Sequence, residues 1–246
     1  MEEKNINNGS RSTIDNAEIE RFSRIADEWW DIKGKFAPLH SMNPVRIEYI
    51  KDKINEHFGK FSSLSLLDIG CGGGLISEPM TRLGAKVTAI DASEKNIKVA
   101  SLHAKNMGLD IDYRHTSAEY LEKTGEKFDV VLALEIIEHV ADINLFIKSC
   151  SELLKPNGII IFSTLNRTAK SYAFAIVGAE YIMRLLPVGT HTWSKFLRPS
   201  ELCNAMEKSN IEVSDLMGMV MNPISWKWRL DAKDLAVNYL VAGKKS

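Results

Sequence analysis

Glu135, Glu138 and His139 stand in "EIIEHV" at i, i+3 and i+4, directly after the apolar run "FDVVLAL". If the chain passes from strand into a helical turn there, all three side chains project on one face at the strand's carboxyl end. Two carboxylates and an imidazole can supply three ligands of an octahedral Mg²⁺ or other divalent-cation site, with waters and substrate oxygens completing it. Without metal, His139 can act as a general base beside Glu138. A plainer role is also open, because acidic residues near a helix N-terminus are favoured by the helix dipole.

A second constellation lies upstream. In "LLDIGCGGG" an apolar strand runs into Asp68-x-Gly70-x-Gly72-x-Gly74 and then a helical pattern. Glycines at the carboxyl edge of a parallel sheet let backbone approach a ligand closely. The dinucleotide pattern G-x-G-x-x-G would need glycine at position 75, where Leu75 stands. Asp68 within the turn suits an amino group better than a pyrophosphate. Asp91 closes the next strand, 21 residues beyond Gly70, and can accept both hydroxyls of a ribose. Glycine loop and ribose carboxylate together read as an adenosyl site; a tight βα turn with no ligand is the plain alternative.

These groups need a sheet to position them, and composition allows one. The 246 residues are 45% hydrophobic and 26% charged, enough for one large α/β domain but not for two. A formal charge of −1 provides no global basic field and counts against nucleic-acid partners. Cys71, Cys150 and Cys203 show neither paired spacing nor a metal-knuckle pattern, as expected in a reducing interior. The polar opening "MEEKNINNGSRSTIDNAE" contains no secretory signal.

Along the chain, residues 1–14 read as a disordered tail, and 15–246 as a single domain. A helical cap over 15–60 holds one helix at about 15–30 and a second at 43–58, capped by Asn43 with Pro44 at its first position. Strands are expected at 64–70, 85–91, 110–115, 128–134 and 158–164, with helices at 75–83, 93–107 and 142–154. That alternation predicts a mostly parallel sheet with helices on both faces. Segments 212–221 and 235–245 lack a crossover helix and are expected to form an antiparallel pair.

"SYAFAIVGAEYIMRLLP" (171–187) is apolar on two sides. Tyr172, Ala175, Ile176, Ala179, Ile182, Met183 and Leu186 form one stripe in helical projection, while Phe174, Tyr181 and Leu185 lie opposite. It is too short to span a bilayer, but flanked by Arg167, Lys170 and Arg184 it could lie in the interface.

"LLDIGCGGG", "VTAID", "FDVVLALEIIEHV" and "LKPNGIIIFSTLNR" together resemble the class I S-adenosylmethionine-dependent methyltransferases. More narrowly, "WWDIKGKFAPLHSMNPVRIEYI", "STLNRTAKSY", "VGAEYIMRLLPVGTH" and "NPI" are similar to the ubiquinone-biosynthesis O-methyltransferase family, from about residue 22 to the C-terminus. The resemblance implies a seven-stranded Rossmann-like sheet with an inserted helical segment at 165–195. It implies S-adenosylmethionine contacts at Arg46, Gly70, Asp91 and Leu134, with Leu134 covering the adenine; Asp68 and Gly72 join the cofactor site by their place in the glycine turn, and the Arg46 guanidinium can clamp the methionine carboxylate as a bidentate pair. It also implies a divalent cation at Glu135, Glu138 and His139, where a catechol-like substrate would be fixed and its phenol acidified. Glu119 is a weaker candidate for the adenine amino group, and His40 and His191 could line the substrate pocket. The substrates implied are polyprenylated phenols at both O-methylation steps, collected from the inner face of the membrane by a cytoplasmic, peripherally bound enzyme, alone or within a pathway complex. Two alternatives are a methyltransferase for a small soluble acid or amine, and a non-catalytic cofactor-binding scaffold in a membrane-associated complex.

Overall fold

A computed structural model describes residues 12–173, 192–222 and 225–246. Two N-terminal helices, α1 (Asn16–Arg24) and α2 (Ala37–Phe58), precede an alternating run: β1 (Ser65–Ile69), α3 (Ser77–Arg82), β2 (Lys86–Asp91), α4 (Glu94–Asn106), β3 (Asp112–His115), α5 (Ala118–Glu122), β4 (Phe128–Leu134), α6 (Ile143–Glu152) and β5 (Leu154–Leu165). A turn of helix α7 (Ala169–Ser171), then α8 (Pro199–Glu207), β6 (Ile211–Met221), β7 (Trp228–Asp231) and β8 (Asn238–Lys245) complete it.

The strand order is β3-β2-β1-β4-β5-β8-β6-β7. β1 to β5 pair in parallel, and β8 adds antiparallel to β5. β6 and β8 pair antiparallel, as their lack of a crossover predicts. The sheet has eight strands instead of seven: Trp228–Asp231, too short to stand out as a period in the sequence, hydrogen-bonds to the outer edge of β6.

Strand side chains alternate between faces, and this one sheet divides two cores. Leu66, Leu132, Ile161 and Leu240 pack with Tyr49, Ile50 and Ile54 of α2. Their neighbours Leu67, Val131, Phe162 and Val241 pack on the other face with Phe146 and Ile147 of α6 and Leu202 of α8. Near-continuous apolar strands follow from cover on both sides. Because the chain runs outward from β1 to β3 and then returns to β4, a crevice opens between the carboxyl ends of β1 and β4.

Two features of the cap differ from expectation. α2 starts at Ala37, and Pro44 lies inside it. Asn43 does not cap: its amide donates to the Leu75 carbonyl at 3.1 Å and its oxygen accepts from Arg46. The disordered reading also extends too far, since Thr13 is buried, its backbone and hydroxyl both bonded to Glu119.

Candidate active site

Beyond β1 the chain turns through Gly70, Gly72 and Gly74, with φ of 72°, 54° and 88°. Left-handed values favour glycine, and here space demands it too. A Cβ on Gly72 would overlap the Trp29 indole, and one on Gly70 would lie 2.8 Å from Ile136. The loop is tied to β2: Gly70 and Cys71 N–H donate to the Ile90 carbonyl at 2.8 and 3.0 Å. Asp91 accepts from Gly72 N at 2.9 Å, Ser93 N at 2.7 Å and Asn96 Nδ2 at 3.2 Å. Trp29 Nε1 donates to Asn96 at 3.0 Å, and the indole stacks on Phe36 at 3.7 Å. The indole thus roofs the loop from the N-terminal cap.

A cavity of about 120 Å³ lies beside Asp91, lined by Gly70, Gly72, Ala92 and Ala118. A larger one, about 310 Å³, is lined by Arg46, Asp68, Leu134, Glu138 and the apolar side chains of Phe36 and Leu39. The two share Gly70, Glu135, His139, Phe22 and Trp29 as walls. Arg46 is 3% exposed and its Nε has no hydrogen-bond partner. Burial lowers its pKa, opposed by the charges of Glu135 and Asp68. Asp68, buried and accepting from Ser77 Oγ at 2.6 Å, is raised by burial to about 6.

Beyond β4, Glu135 adopts φ 51°, a left-handed conformation uncommon for a non-glycine residue. β5 holds it there: Ser163 Oγ donates to its carboxylate at 2.6 Å, and its N–H donates to the Ser163 carbonyl at 3.0 Å. A 3₁₀ turn follows over Ile137–His139. Glu138 is 3% exposed and accepts from Thr164 Oγ1 at 2.8 Å; burial first, and then the charge of Glu135, push its carboxyl well above the usual range. His139 Nδ1 meets Glu18 of α1 at 3.2 Å.

The methyltransferase-domain family matches residues 67–162, from β1 through β5. A ubiquinone biosynthesis O-methyltransferase of Cereibacter sphaeroides is 55% identical over 240 residues, covering 95% of this chain and 97% of its own. This chain belongs to the ubiquinone biosynthesis O-methyltransferase family. A relative so named from Bartonella tribocorum is 51% identical, covering 96% of this chain and 98% of its own. Among solved structures, a S-adenosylmethionine-dependent methyltransferase of Thermotoga maritima superposes with a TM-score of 0.67 at 16% identity, over 93% of this chain and all of that one. A magnesium protoporphyrin IX methyltransferase of Synechocystis with bound S-adenosylmethionine gives 0.64 at 15% identity, over 96% of this chain and all of that one.

S-adenosylmethionine is the cofactor, and the family member described here has the features to hold it. The glycine cradle admits no Cβ at Gly70 or Gly72, and the orphaned Arg46 Nε is a buried donor awaiting an acceptor such as a carboxylate. Leu134 lines the larger, Arg46 cavity and not the one beside Asp91. Glu119 is likewise engaged elsewhere, by Ser12 and Thr13. His40 Nε2 donates to the Trp29 carbonyl at 2.8 Å, while His191 lies outside the described residues.

The expected cation site does not assemble. Glu135, Glu138 and His139 share one cavity, but the 3₁₀ turn and the left-handed Glu135 take them off a common helical face, and each is bonded to a different neighbour. Among the described residues, no three His, Cys, Asp or Glu side chains are placed to hold one ion. The residues missed by sequence reasoning are Glu18, Phe22 and Trp29 of the cap, and Ser163 and Thr164 of β5.

Proposed function

We propose that this cleft performs both O-methylation steps of ubiquinone biosynthesis, on polyprenylated rings with a free phenolic hydroxyl, with His139 as the base. Family membership gives S-adenosylmethionine-dependent O-methylation in ubiquinone biosynthesis; the base, the prenyl tail and the use of one cleft for both steps are added here. The observation that carries the reading is His139 at the seam of the two cavities, beside apolar walls suited to a ring. Arg46 would clamp the methionine carboxylate, Asp68 would face the ammonium, and Asp91 the ribose. When bound, the cofactor would supply an activated methyl group: the phenolic oxygen would form the O–CH3 bond as the sulfonium S–CH3 bond breaks, with S-adenosylhomocysteine as the leaving group. The phenolic proton passes to His139 and then to water, and the protein's remaining task is to align and desolvate.

Cation binding is the second reading of the same residues. It is favoured by two carboxylates and an imidazole lining one cavity, and Ser163 and Thr164, each bonded to one oxygen of Glu135 and Glu138, could stay as outer-shell partners of those carboxylates. Turnover that survives excess chelator agrees with His139 as the base; loss restored by Mg²⁺ transfers phenol activation to the metal.

The prenyl tail places the enzyme at a membrane surface, peripherally and on the cytoplasmic side. Support comes from exposed Tyr172 and Trp193, which meet edge to face at 6.2 Å and flank the sequence 174–191. Phe174, Tyr181 and Leu185 lie outside the described residues. Arg167 and Lys170 are paired with Glu201 and Asp234, so adhesion rests on apolar side chains more than on these two cations. Among the described residues no helix is long and apolar enough to cross a membrane. The test offers both ring intermediates in anionic liposomes. Each should inhibit methylation of the other with a Ki equal to its own KM, and Phe174→Glu/Leu185→Glu should reduce liposome binding and kcat/KM for tailed substrates only. Absence of competition would overturn the shared cleft. Unchanged partitioning would leave the 171–187 segment to a partner protein.

A further inference from the structure

The N-terminal cap reaches Asp91 through the first turn of α4. Trp29 Nε1 donates to Asn96 Oδ1 at 3.0 Å, and Asn96 Nδ2 donates to Asp91 Oδ1 at 3.2 Å. An indole N–H can only donate, and a carboxylate can only accept. The amide between them is satisfied in one orientation alone, with its oxygen toward Trp29 and its nitrogen toward Asp91. Asn96 is 2% exposed, and a buried amide that loses either partner carries a desolvation cost. A second line runs beside the first. Ser23 Oγ of α1 meets Ser93 Oγ at 2.7 Å, and Ser93 N–H donates to the same Asp91 oxygen at 2.7 Å. The other oxygen accepts from Gly72 N–H at 2.9 Å, and Gly72 lies against the Trp29 indole. These three donors to Asp91 are thus all braced by the cap.

We infer that Asn96 is a positioning residue for the cofactor: oriented by the Trp29 N–H, its amide sets the plane in which the Asp91 carboxylate meets the ribose hydroxyls. The role rests on Asp91 being the ribose ligand proposed above. Trp29 stands 67 residues before Asn96, so the ribose contact is completed by a segment outside the βα unit that carries Asp91. Without the indole N–H, the amide can turn its oxygen toward the carboxylate, where two acceptors repel and Asp91 is free to swing. Docking of the cap and binding of the ribose are therefore linked. Linkage is reciprocal, so cofactor that engages an aligned Asp91 holds Trp29 down by the same factor. A cap that only fills space over Gly72 would, when disturbed, weaken all ligands of the cavity alike, whatever their ribose carries.

The test titrates the full chain calorimetrically with S-adenosylhomocysteine and with its 2′-deoxy and 3′-deoxy analogues. In wild type the hydroxyl that Asp91 accepts should be worth about 10- to 100-fold in affinity, the range for a hydrogen bond to a charged group. Asn96→Ala should weaken S-adenosylhomocysteine about tenfold and the corresponding deoxy analogue less than about twofold, so that the worth of the hydroxyl shrinks. Asn96→Asp, which keeps the acceptor for Trp29 and loses the donor to Asp91, should shrink it as much. So should a benzothiophene in place of the Trp29 indole, which keeps the ring and lacks the N–H; it leaves Asn96 intact if the other variants do not fold. On the Asp91→Ala background, adding Asn96→Ala should cost less than about twofold more. Equal weakening of parent and deoxy ligands in these variants would make the amide a brace and overturn its role, as would a further tenfold loss on the Asp91→Ala background. If Asp91→Ala itself leaves the worth of the hydroxyl unchanged, the ribose reading of Asp91 fails, and the role of Asn96 with it.

Discussion

His139→Ala is expected to lower kcat by about 100-fold or more, the usual worth of a positioned base, while leaving binding of S-adenosylhomocysteine intact. The magnitude follows from the phenol. An unperturbed phenol of pKa about 10 is only ~0.3% ionised at pH 7.5, so supplying the phenolate is worth up to about 300-fold. His139 borders both cavities, whereas the groups assigned to the cofactor are Arg46, Asp68 and Asp91, so the loss should fall on kcat. A substrate analogue with a nitro group on the ring, already ionised at neutral pH, should shrink the deficit to a few-fold. An equal deficit with both substrates would show that His139 acts otherwise than by taking the proton.

The other large effect is expected at the glycine loop. Gly72→Val should reduce cofactor affinity by about 100-fold, or ~2.7 kcal/mol, and lower the stability of the chain as well. Two causes act together. At φ 54° a branched side chain is strained, and its Cβ would overlap the Trp29 indole. The cap would have to lift, and Asp91 would lose the Gly72 N–H that orders it. Pairing Gly72→Ala with Trp29→Phe separates the causes, because phenylalanine lacks the outer indole carbons that a Cβ would meet. The double variant should regain the steric part and keep a backbone cost of about 1–2 kcal/mol. Calorimetric titration with S-adenosylhomocysteine reads both, and wild-type affinity in Gly72→Val would remove the loop from the cofactor site.

The parallel strands were legible because each is a short apolar run bounded by turn residues, and 128–134 agrees at both ends with β4. Asp91 and the glycines were legible for a similar reason: spacing along one βα unit is local. Asn157 of "KPNG" has φ 62°, a left-handed conformation that Asn tolerates well among non-glycine residues. What failed was long-range or depended on competition between partners. Asn43 before Pro44 has the form of a helix cap, yet its amide is drawn to Leu75 and Arg46. Glu119 faces the right end of the sheet, but Ser12 and Thr13, more than a hundred residues away in sequence, occupy its oxygens. The i, i+3, i+4 spacing of "EIIEHV" assumed an α-helical turn, and the hydrogen bond from Ser163 together with the 3₁₀ turn changes where those side chains point. The same spacing in Glu18, Arg21 and Phe22 was available in α1, but nothing local says that this face meets His139.

The central claim is that the cleft between the glycine loop and the N-terminal cap transfers methyl groups to phenolic oxygen. Its most direct test supplies methyl-labelled S-adenosylmethionine and a prenylated catechol to the purified full chain and locates the label in the product. The account predicts an aryl methyl ether, formed by wild type and lost in proportion in His139→Ala and Gly72→Val. Label on a ring carbon or a carboxylate, or no transfer by a chain that binds the cofactor, would contradict it.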